Sequence, residues 1–297
     1  MTATATLRIG TRESRLAIAQ ARIAATALGP TIGPSELVPI ATRGDAISAG
    51  QPHAGWVETD GQFTRELERA LLDGRVDLVV HSYKDLPTAA TDGLVIGVVL
   101  ERGDARDCLV TADGETLDDL RFGARIGTSS PRRAAQLAAA RSDLITTPIR
   151  GNLETRLRRL RQGELDALIL AAAGLDRLGI AVPDHARLGF ELMLPAPAQG
   201  ALALQVRTAD RALRAALATI EHVPTRVAVD AERALLRRIG GGCLAPLGAL
   251  GEVSDQQLRL RAAYADGTGA LRRAEATGPA ADPGAVVETV AERILDA

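Results

Sequence analysis

The feature that most constrains the fold of this chain is an internal repeat. The segment Ile9–Arg15 reads IGTRESR and precedes an alanine-rich stretch of helical character that continues to about Leu28. A second segment, Ile126–Arg132, reads IGTSSPR and precedes a similar stretch that continues to about Arg141. Each segment is typical of a strand, a polar turn and the start of a helix, in that order.

The repeat continues in both halves with the same order of elements. In the first half, Arg43–Asp45 (RGD) is followed by a helical stretch and then by an apolar run that ends at Val80. In the second half, Arg150–Asn152 (RGN) is followed by a helical stretch and then by an apolar run that ends at Ile169. Short apolar strands that alternate with helical segments predict βαβ units. We therefore expect two related α/β domains, each with a mostly parallel sheet.

The pattern changes after about Pro195. The stretch Pro195–Gly200 (PAPAQG) is typical of a hinge or crossover, and a strand and a helix are expected after it, over 201–206 and 210–220. A helix from Pro224 ends at Gly240–Gly242, and glycine is a common signal for the end of a helix. Two strand-like segments and a last helix follow, over 258–265, 270–276 and 282–297. This small α+β module raises the expected number of domains from two to three.

Composition excludes several classes of partner. The 297 residues have a formal charge of −2 and only 2% are aromatic, so nucleic acid would find few side chains for stacking and no broad basic surface. The longest apolar stretch, 167–175, is about half of the roughly 20 residues that a transmembrane helix needs. Charged residues from Arg8 onward interrupt any signal-peptide core. We expect a cytoplasmic monomer that binds neither nucleic acid nor membrane.

One motif combines a catalytic candidate with the only lysine of the chain. Lys84 is the one lysine among the Lys and Arg residues of the chain, and the others are all arginine. Lysine and arginine side chains differ in geometry and hydration, so position 84 is a candidate for a function that needs an ammonium group. His81–Asp85 (HSYKD) directly follows an apolar run, at the carboxyl end of a predicted strand, where functional residues gather. Asp85 there suits acid–base chemistry or cation stabilisation. The alternative is a surface Lys–Asp pair worth under about 1 kcal/mol.

The polar turns of the repeat are candidate anion sites. Thr11–Ser14 and Thr128–Ser130 lie where helix N-termini direct free N–H groups at a ligand. Ser130 is a predicted N-cap, and Pro131 is the favoured first residue of a helix. Adjacent Arg132 and Arg133 repel each other, which favours an anionic partner near them. Further arginines expected near the same site are suited to binding carboxylates: Arg12, Arg150, Arg156 and Arg177. Coding bias is the alternative explanation for the excess of arginine as a whole, and a solvated helix face accounts better for Arg158, Arg159 and Arg161.

The two cysteines have no metal-binding spacing. We interpret Cys108, set between Asp107 and Leu109, as a small buried hydrophobe. Cys243 follows three glycines, so its backbone is open to an approaching reagent and we expect a reactive or modified thiol. No role is assigned to the histidines outside the HSYKD motif: His53, His185 and His222.

Taken together, the motifs resemble the porphobilinogen deaminase (hydroxymethylbilane synthase) family of tetrapyrrole biosynthesis. The resemblance covers nearly the whole chain, and the motifs occur in the family's order and at family-like spacing. They are Ile9–Ser14, Thr42–Asp45, His81–Asp85, Gly127–Arg133, Arg150–Asn152, Ala173–Leu178, Gln199–Gly200 and Gly241–Cys243.

The resemblance implies two α/β domains like those of periplasmic binding proteins and a small C-terminal α+β domain. The implied boundaries are 1–101 with 199–220, then 102–198, then 221–297. It also implies that Cys243 carries a dipyrromethane cofactor through a thioether bond. Four porphobilinogen molecules would be deaminated and joined to it in turn, and hydrolysis would release hydroxymethylbilane. Asp85 would be the catalytic carboxylate, which stabilises the azafulvenium-type cation left when ammonia departs.

The resemblance further implies which residues bind the cofactor and the substrate. Each pyrrole ring brings an acetate and a propionate, so the site needs fixed positive charge and N–H donors. The implied binding residues are Arg12, Ser14, Ser82, Lys84, Thr128, Ser129, Ser130, Arg132, Arg133, Arg150, Gly151, Asn152, Arg156, Arg177 and Gln199. The chain departs from the family in two places. The loop 55–62 lacks the lysines that many members carry, and Gln205 replaces a common glutamate.

Two other functions suit parts of the pattern. Two repeated α/β domains near a hinge also describe a solute-binding or effector-sensing protein, and fold alone does not separate the two. Asp85 at a strand end and Cys243 in a third domain distinguish the enzyme, since a simple receptor needs neither. A transferase with Cys243 as nucleophile is the weaker alternative, because no histidine base lies in a recognisable motif.

Overall fold

The computed structural model of the chain describes residues 6–42 and 64–296, except the side chain of Cys243. Three features named above lie outside the described residues: the motif Arg43–Asp45, His53 and the loop 55–62. The described residues form two compact units, Met1–Arg102 with Ala201–Arg226 and Gly103–Gly200 with Val227–Ala297. None of the helices in the described part of the chain combines the length and the apolar character that a membrane span requires.

The helices and strands of the described residues are numbered here in chain order. The strands are β1 (Leu7–Arg12), β2 (Ser35–Ile40), β3 (Leu78–Ser82), β4 (Leu94–Val99), β5 (Asp107–Thr111), β6 (Arg125–Gly127), β7 (Ile145–Thr147), β8 (Ala167–Ala171), β9 (Leu202–Arg207), β10 (Leu247–Ser254), β11 (Gln257–Ala265) and β12 (Leu271–Pro279). The α-helices are α1 (Arg15–Ile32), α2 (Arg65–Leu72), α3 (Pro131–Ala140), α4 (Leu153–Arg161), α5 (Ala172–Arg177), α6 (Arg211–Ala218), α7 (Val223–Ile239) and α8 (Pro283–Leu295). Short 3₁₀ turns span Tyr83–Asp85, Asp184–Ala186 and Gly242–Leu244.

The first unit contains a sheet with the strand order β2-β1-β3-β9-β4. Strand β1 is parallel to β2 and β3, whereas β9 is antiparallel to β3 and β4. Successive residues of a strand face opposite sides of its sheet. Leu78 and Val80 of β3 accordingly pack with α1 in one core cluster, while Val79 packs with Leu67 and Leu71 of α2 in another. Helices therefore cover both faces of this sheet.

The second unit contains a sheet with the order β5-β8-β6-β7 and repeats the first. Strand β6 is parallel to β7 and β8, as β1 is to β2 and β3. Each sheet also contains a strand that pairs antiparallel with the last strand of this parallel group. In the second unit β5 pairs with β8 in this way, as β9 pairs with β3 in the first. The predicted repeat and the α/β class are confirmed. The expectation of mostly parallel sheets is also confirmed, because β9 is the one reversed strand of the first sheet and β5 is the one reversed strand of the second. Strand β9 is reversed because it enters from the crossover at 195–200 instead of through a helix that would return it in parallel.

The C-terminal module also belongs to the second unit. Strands β10, β11 and β12 form an antiparallel sheet whose core is shared with α7 and α8. The predicted strands near 258–265 and 270–276 and the last helix are confirmed, but β10 was missed. Its Gly248 and Gly251 are poor strand formers, and each is needed for close approach: a Cβ would lie 2.8 Å from the carbonyl oxygen of Leu194 or Ala228 respectively. That the module forms a third domain stays a prediction.

Candidate active site

A pocket opens at the carboxyl ends of β1 and β3 in the first unit. Arg12 is the last residue of β1, Ser82 is the last residue of β3, and Asp85 ends the 3₁₀ turn that follows β3. With Ser14, four predicted site residues lie together around a pocket of about 410 Å³ that is partly open to solvent. α/β sheets bind ligands at this edge. The residues that line it are Arg12, Ser14, Leu16, Ala17, Gln20, Thr64, Val80, His81, Ser82 and Asp85.

Asp85 is held in place by buried residues on either side of it. Tyr83 and Leu86 are both buried. The backbone N–H of Tyr83 donates to the carbonyl oxygen of Ala201 at 3.0 Å, and the N–H of Leu86 donates to the carbonyl of Tyr83 at 3.3 Å. The sheet therefore fixes the backbone next to Asp85, whose side chain is half-buried at the pocket. Lys84 is half-buried in the same turn but is not among the described residues that line the pocket.

Helix α1 presents its first turns to the pocket. The Ser14 hydroxyl accepts a hydrogen bond from the N–H of Ala17 at 3.3 Å, so Ser14 is the N-cap of the helix. Gln20 is buried, and its side-chain amide donates to the Ser82 hydroxyl at 2.8 Å. Sequence reasoning missed Gln20. The available signal was a polar residue on the buried stripe of a helix, between Ala17 and Ala21.

His81 is a second pocket residue that sequence reasoning left without a role. It is 5% exposed, and its Nε2 lies 2.9 Å from Oε1 of Gln205. The amide nitrogen of Gln205 in turn donates to Oε1 of Glu68 at 2.9 Å. The pKa of the His81 imidazole is lowered to about 4, chiefly by burial; the bond to Gln205 opposes this shift, and the charge of Arg12 acts in the same direction as burial. The imidazole is therefore neutral at physiological pH.

In the second unit, the polar turn after β6 is built by its own side chains. The Ser130 hydroxyl accepts from the N–H of Arg133 at 3.4 Å, and Pro131 begins α3, which confirms the predicted helix start. The Thr128 hydroxyl accepts from the N–H of Ser130 at 3.2 Å. Ser129 Oγ donates to the carbonyl of Ile149 at 2.9 Å and accepts from the N–H of the same residue at 3.0 Å. These hydroxyls thus fix the backbone at the N-terminus of α3.

Arg132 and Arg133 share a buried carboxylate. Arg132 lies 2.8 Å and Arg133 lies 2.6 Å from the two oxygens of Asp107, which is fully buried. Gln199 donates from its side-chain amide to Asp107 Oδ1 at 2.9 Å. The anionic partner that their mutual repulsion predicts is thus a residue of the chain itself, and a direct contact of either arginine with a ligand stays a prediction. Sequence reasoning missed Asp107, which lies 26 residues from Arg133.

This cluster carries an excess of positive charge. Two guanidinium groups face one carboxylate, and the Nε atoms of Arg132 and Arg133 are buried without a hydrogen-bond partner among the described residues. Burial raises the pKa of the Asp107 carboxyl, but the charges of Arg132 and Arg133 outweigh it and hold that pKa well below its usual range. Burial lowers the pKa of Arg132, although Asp107 opposes the shift. The cluster can accept a further anion.

The RGN turn starts the next helix. Gly151 has φ +105°, and the Asn152 side chain accepts from the N–H of Thr155 at 2.9 Å as the N-cap of α4. Arg156 Nε donates back to the carbonyl of Gly151 at 2.9 Å. Arg150 is exposed. Gly151 and Asn152 therefore shape the turn from which Arg150 and Arg156 extend.

Arg177 contacts the crossover. Its Nη2 donates to the carbonyl of Gly200 at 2.5 Å, and burial lowers the pKa of its guanidinium to about 10, with Asp176 opposing the shift. At that pKa the group stays charged at neutral pH.

The two cysteines lie in different surroundings. Cys108 is fully buried in β5, and burial raises the pKa of its thiol to about 11, which confirms the interpretation of an inert small hydrophobe. Cys243 lies in the 3₁₀ turn Gly242–Leu244, after three glycines with positive φ at 240, 241 and 242. A left-handed backbone over three residues requires glycine, so these residues define the path of the chain into Cys243.

Comparison with known proteins identifies close relatives. Residues 7–215 match the family model described as "Porphobilinogen deaminase, dipyromethane cofactor binding domain", and residues 227–296 match "Porphobilinogen deaminase, C-terminal domain". The porphobilinogen deaminase of Desulforudis audaxviator is 47% identical over 97% of this chain and 94% of its own length. That of Thermobifida fusca is 49% identical over 89% of this chain and 83% of its own length.

Among solved structures the similarity is more distant. A putative methionine-binding lipoprotein from Bacillus subtilis aligns with a TM-score of 0.43 at 16% sequence identity, over 73% of this chain and 90% of that chain. An ancestral arginine-binding protein aligns with a TM-score of 0.36 at 16% identity, over 78% of this chain and 92% of that chain.

Proposed function

This chain belongs to the porphobilinogen deaminase family, and we propose that Asp85 is its catalytic carboxylate and Cys243 the residue that carries its dipyrromethane cofactor. The reaction is a transfer of tetrapyrrole biosynthesis. Porphobilinogen molecules lose ammonia and are joined head to tail, and hydroxymethylbilane is released. The solute-binding alternative has no support among the relatives.

The placement of Asp85 in the pocket of the first unit carries the catalytic assignment. When ammonia leaves, the C–N bond of the aminomethyl group breaks and a positive charge develops on the substrate. A carboxylate fixed by the buried turn around it can accept hydrogen bonds from pyrrole N–H groups and stabilise that charge without reorganising. Arg12 at the same pocket offers a guanidinium fork for a substrate carboxylate, and Ser14 and Ser82 offer hydroxyl groups.

The second unit suits a ligand with several carboxylates. The buried Nε–H groups of Arg132 and Arg133 are donors without a partner among the described residues, and Asp107 neutralises only one of the two charges. These observations fit the carboxylates of the dipyrromethane, which Cys243 would hold through its thiol. When bound, the dipyrromethane supplies the free pyrrole carbon to which the first substrate is joined.

The remaining binding residues divide into two groups by their chemistry. We assign the charged side chains to ligand carboxylates as donors: Lys84, Arg150, Arg156 and Arg177. We assign the uncharged residues, which form the two turns or bond Asp107, to positioning the backbone N–H groups that meet the ligand: Thr128, Ser129, Ser130, Gly151, Asn152 and Gln199. We further propose that the chain works as a monomer in the cytoplasm, without nucleic acid or membrane partners. The low aromatic content and a net charge of −2 support the absence of a nucleic-acid partner.

The test is incubation with porphobilinogen while ammonia and linear tetrapyrrole are followed together. We expect one ammonia for each porphobilinogen consumed. Binding of porphobilinogen without ammonia release would instead support the solute-binding alternative. Intact-mass analysis of the active protein is expected to show a covalent addition that Cys243→Ala abolishes and the matched Cys108→Ala retains. An unmodified mass in fully active protein would refute the assignment of Cys243.

A further inference from the structure

Three side chains form a chain of hydrogen bonds that ends in the pocket of the first unit. Glu68 on α2 accepts from the amide nitrogen of Gln205 on β9, and the amide oxygen of Gln205 lies 2.9 Å from Nε2 of His81 on β3. His81 and Gln205 are diagonal neighbours on adjacent antiparallel strands, because His81 pairs with Ala203 and Gln205 pairs with Val79. The sheet therefore fixes the distance between them.

The carboxylate at one end determines the proton position at the other. Ionised Glu68 is only an acceptor, so the NH₂ group of Gln205 must face it and the amide oxygen must face His81. That oxygen is also only an acceptor, so Nε2 of His81 must carry the proton. Nδ1 then holds a lone pair, and it is the ring nitrogen not used in this bond.

The charged groups around His81 favour its neutral form. Arg12 on β1 is positive and opposes protonation of the imidazole, in the same direction as burial. Glu68 on α2 faces it only through the neutral amide of Gln205. Asp85, in the turn after β3, lines the same pocket. The neutral imidazole of His81 and the carboxylate of Asp85 are both hydrogen-bond acceptors, and they line one pocket.

We propose that Glu68 and Gln205 lock His81 in the Nε2–H tautomer, so that Nδ1 accepts a hydrogen bond from an N–H group of the substrate beside Asp85. The inference rests on the proposed function for the identity of the substrate. Its N–H donors are the pyrrole nitrogen and the ammonium of the aminomethyl group. A protonated imidazole would repel that ammonium and donate where an acceptor is needed, so the neutral amide at position 205 maintains the function of His81.

The tautomer is tested without any substrate. Nitrogen-15 NMR of the holoenzyme distinguishes a protonated ring nitrogen from one with a lone pair, and the His81 resonances are identified by comparison with His81→Gln. We expect protonated Nε2 and unprotonated Nδ1 throughout about pH 5 to 8. A protonated Nδ1, or an imidazolium in this range, would overturn the proposal, and this result does not depend on turnover of porphobilinogen.

Two substitutions at position 81 separate substrate contact from a structural role. His81→Gln can keep a donor near Nε2 for Gln205 but loses the acceptor at Nδ1, whereas His81→Asn places an amide oxygen near Nδ1 and loses the bond to Gln205. We expect kcat/KM to fall roughly 10- to 100-fold in His81→Gln, the range for one hydrogen bond to a charged group, and less in His81→Asn. The reverse order would show that His81 serves only packing.

Gln205→Glu tests whether the neutral amide at position 205 keeps the imidazole uncharged. A carboxylate at position 205 lies against Glu68 and raises the pKa of His81. We therefore expect kcat/KM of the variant to fall at acid pH with a midpoint above about pH 6, whereas wild type shows no such fall. The control is His185→Gln, since His185 bonds the carbonyl of Gly114 in the other unit and should leave the profile unchanged. An unshifted profile in Gln205→Glu would refute the role of the neutral amide in keeping His81 uncharged. If wild type fails to release ammonia, the proposed function fails, while the NMR result still decides the tautomer.

Discussion

At the scale of single residues, the carboxylate proposed for catalysis in the pocket of the first unit and the side chains that hold its backbone belong to different residues. Asp85 lines the pocket, while Tyr83 and Leu86 on either side are buried and bonded to the backbone. The fold therefore does not depend on the charge of Asp85. A substitution that removes only this charge should change the reaction and leave the turn in place.

Asp85→Asn is expected to fold and to keep its cofactor but to lose roughly 10²- to 10³-fold in kcat, because a neutral amide stabilises a developing cation poorly. The measurements are ammonia release, intact mass and thermal unfolding of the same preparation. Asp92→Asn is the control, since Asp92 is an exposed carboxylate of the same unit. Near-normal turnover in Asp85→Asn would reject the catalytic assignment.

Asp107 differs from Asp85 because its charge is part of the fold. It is fully buried between Arg132 and Arg133, and Gln199 adds a hydrogen bond. Asp107→Asn removes a partner that both guanidinium groups share, so we expect a loss of about 3–5 kcal/mol in the free energy of unfolding of the second unit. Asp143→Asn, which breaks the more exposed pair with Arg141, should cost much less, because solvent screens that pair. Urea denaturation measures the free energy of unfolding of both variants, and equal losses would contradict a structural role for the charge of Asp107.

The same carboxylate gives a pH dependence with a defined sign. Arg132 and Arg133 outweigh the effect of burial and hold the pKa of Asp107 below its unfolded value. Its contribution to stability is therefore complete above the unfolded pKa of about 4 and is lost as the pH falls below that value. Denaturation between about pH 5 and 2 should show a steeper loss for wild type than for Asp107→Asn. Parallel curves would show that Asp107 does not govern the acid limb.

At the scale of elements, side chains are positioned in two ways. The capping residues determine where a helix begins, and close contacts determine how a strand packs against its neighbours. Ser14 and Ser130 cap α1 and α3 at equivalent points of the repeat, and both caps follow from local sequence. Strand β10 has no such local signal. Its glycines are required by neighbours distant in sequence, namely Leu194 at Gly248 and Ala228 at Gly251. Local patterns therefore predicted helix starts and missed a strand whose composition is set by packing.

Gly248→Ala tests this packing constraint. The added Cβ would lie 2.8 Å from the carbonyl oxygen of Leu194 and 2.9 Å from its Cβ, so backbone must move. We expect a loss of about 1–3 kcal/mol in the free energy of unfolding, typical of overpacking. Gly267→Ala in the same module has no atom within 4 Å of its added Cβ and should be close to neutral. Equal stability of the two variants in urea denaturation would refute the close approach.

At the scale of the whole molecule, the chain passes between its two units three times, at 102–103, at 200–201 and at 226–227. The sequence predicted the repeat, the strand-end position of Asp85 and the crossover near 195–200, because each has a local pattern. It did not predict the partners of His81 and Arg133, which are 124 and 26 residues away. Burial and hydrogen bonding across strands select such partners, and no spacing rule expresses them.

The last prediction concerns the second of these crossings. Gly200 has φ +88°, and a Cβ there would lie 2.6 Å from the carbonyl oxygen of Gly103, whose N–H donates to the carbonyl of Gly200 at 3.1 Å. Arg177 donates to the same carbonyl, so the two crossing segments and this side chain form one hydrogen-bonded group. Gly200→Ala adds left-handed strain to a clash with backbone, each worth about 1–3 kcal/mol.

We therefore expect Gly200→Ala to lower the free energy of unfolding by about 2–4 kcal/mol and to weaken the position of Arg177, whose acceptor must move. Urea denaturation measures the first effect, and the KM for porphobilinogen measures the second. Gly189→Ala is the matched control, because no atom lies within 4 Å of its added Cβ. A change in stability with an unchanged KM would restrict Arg177 to holding the crossover, whereas a rise in KM would link that contact to substrate binding.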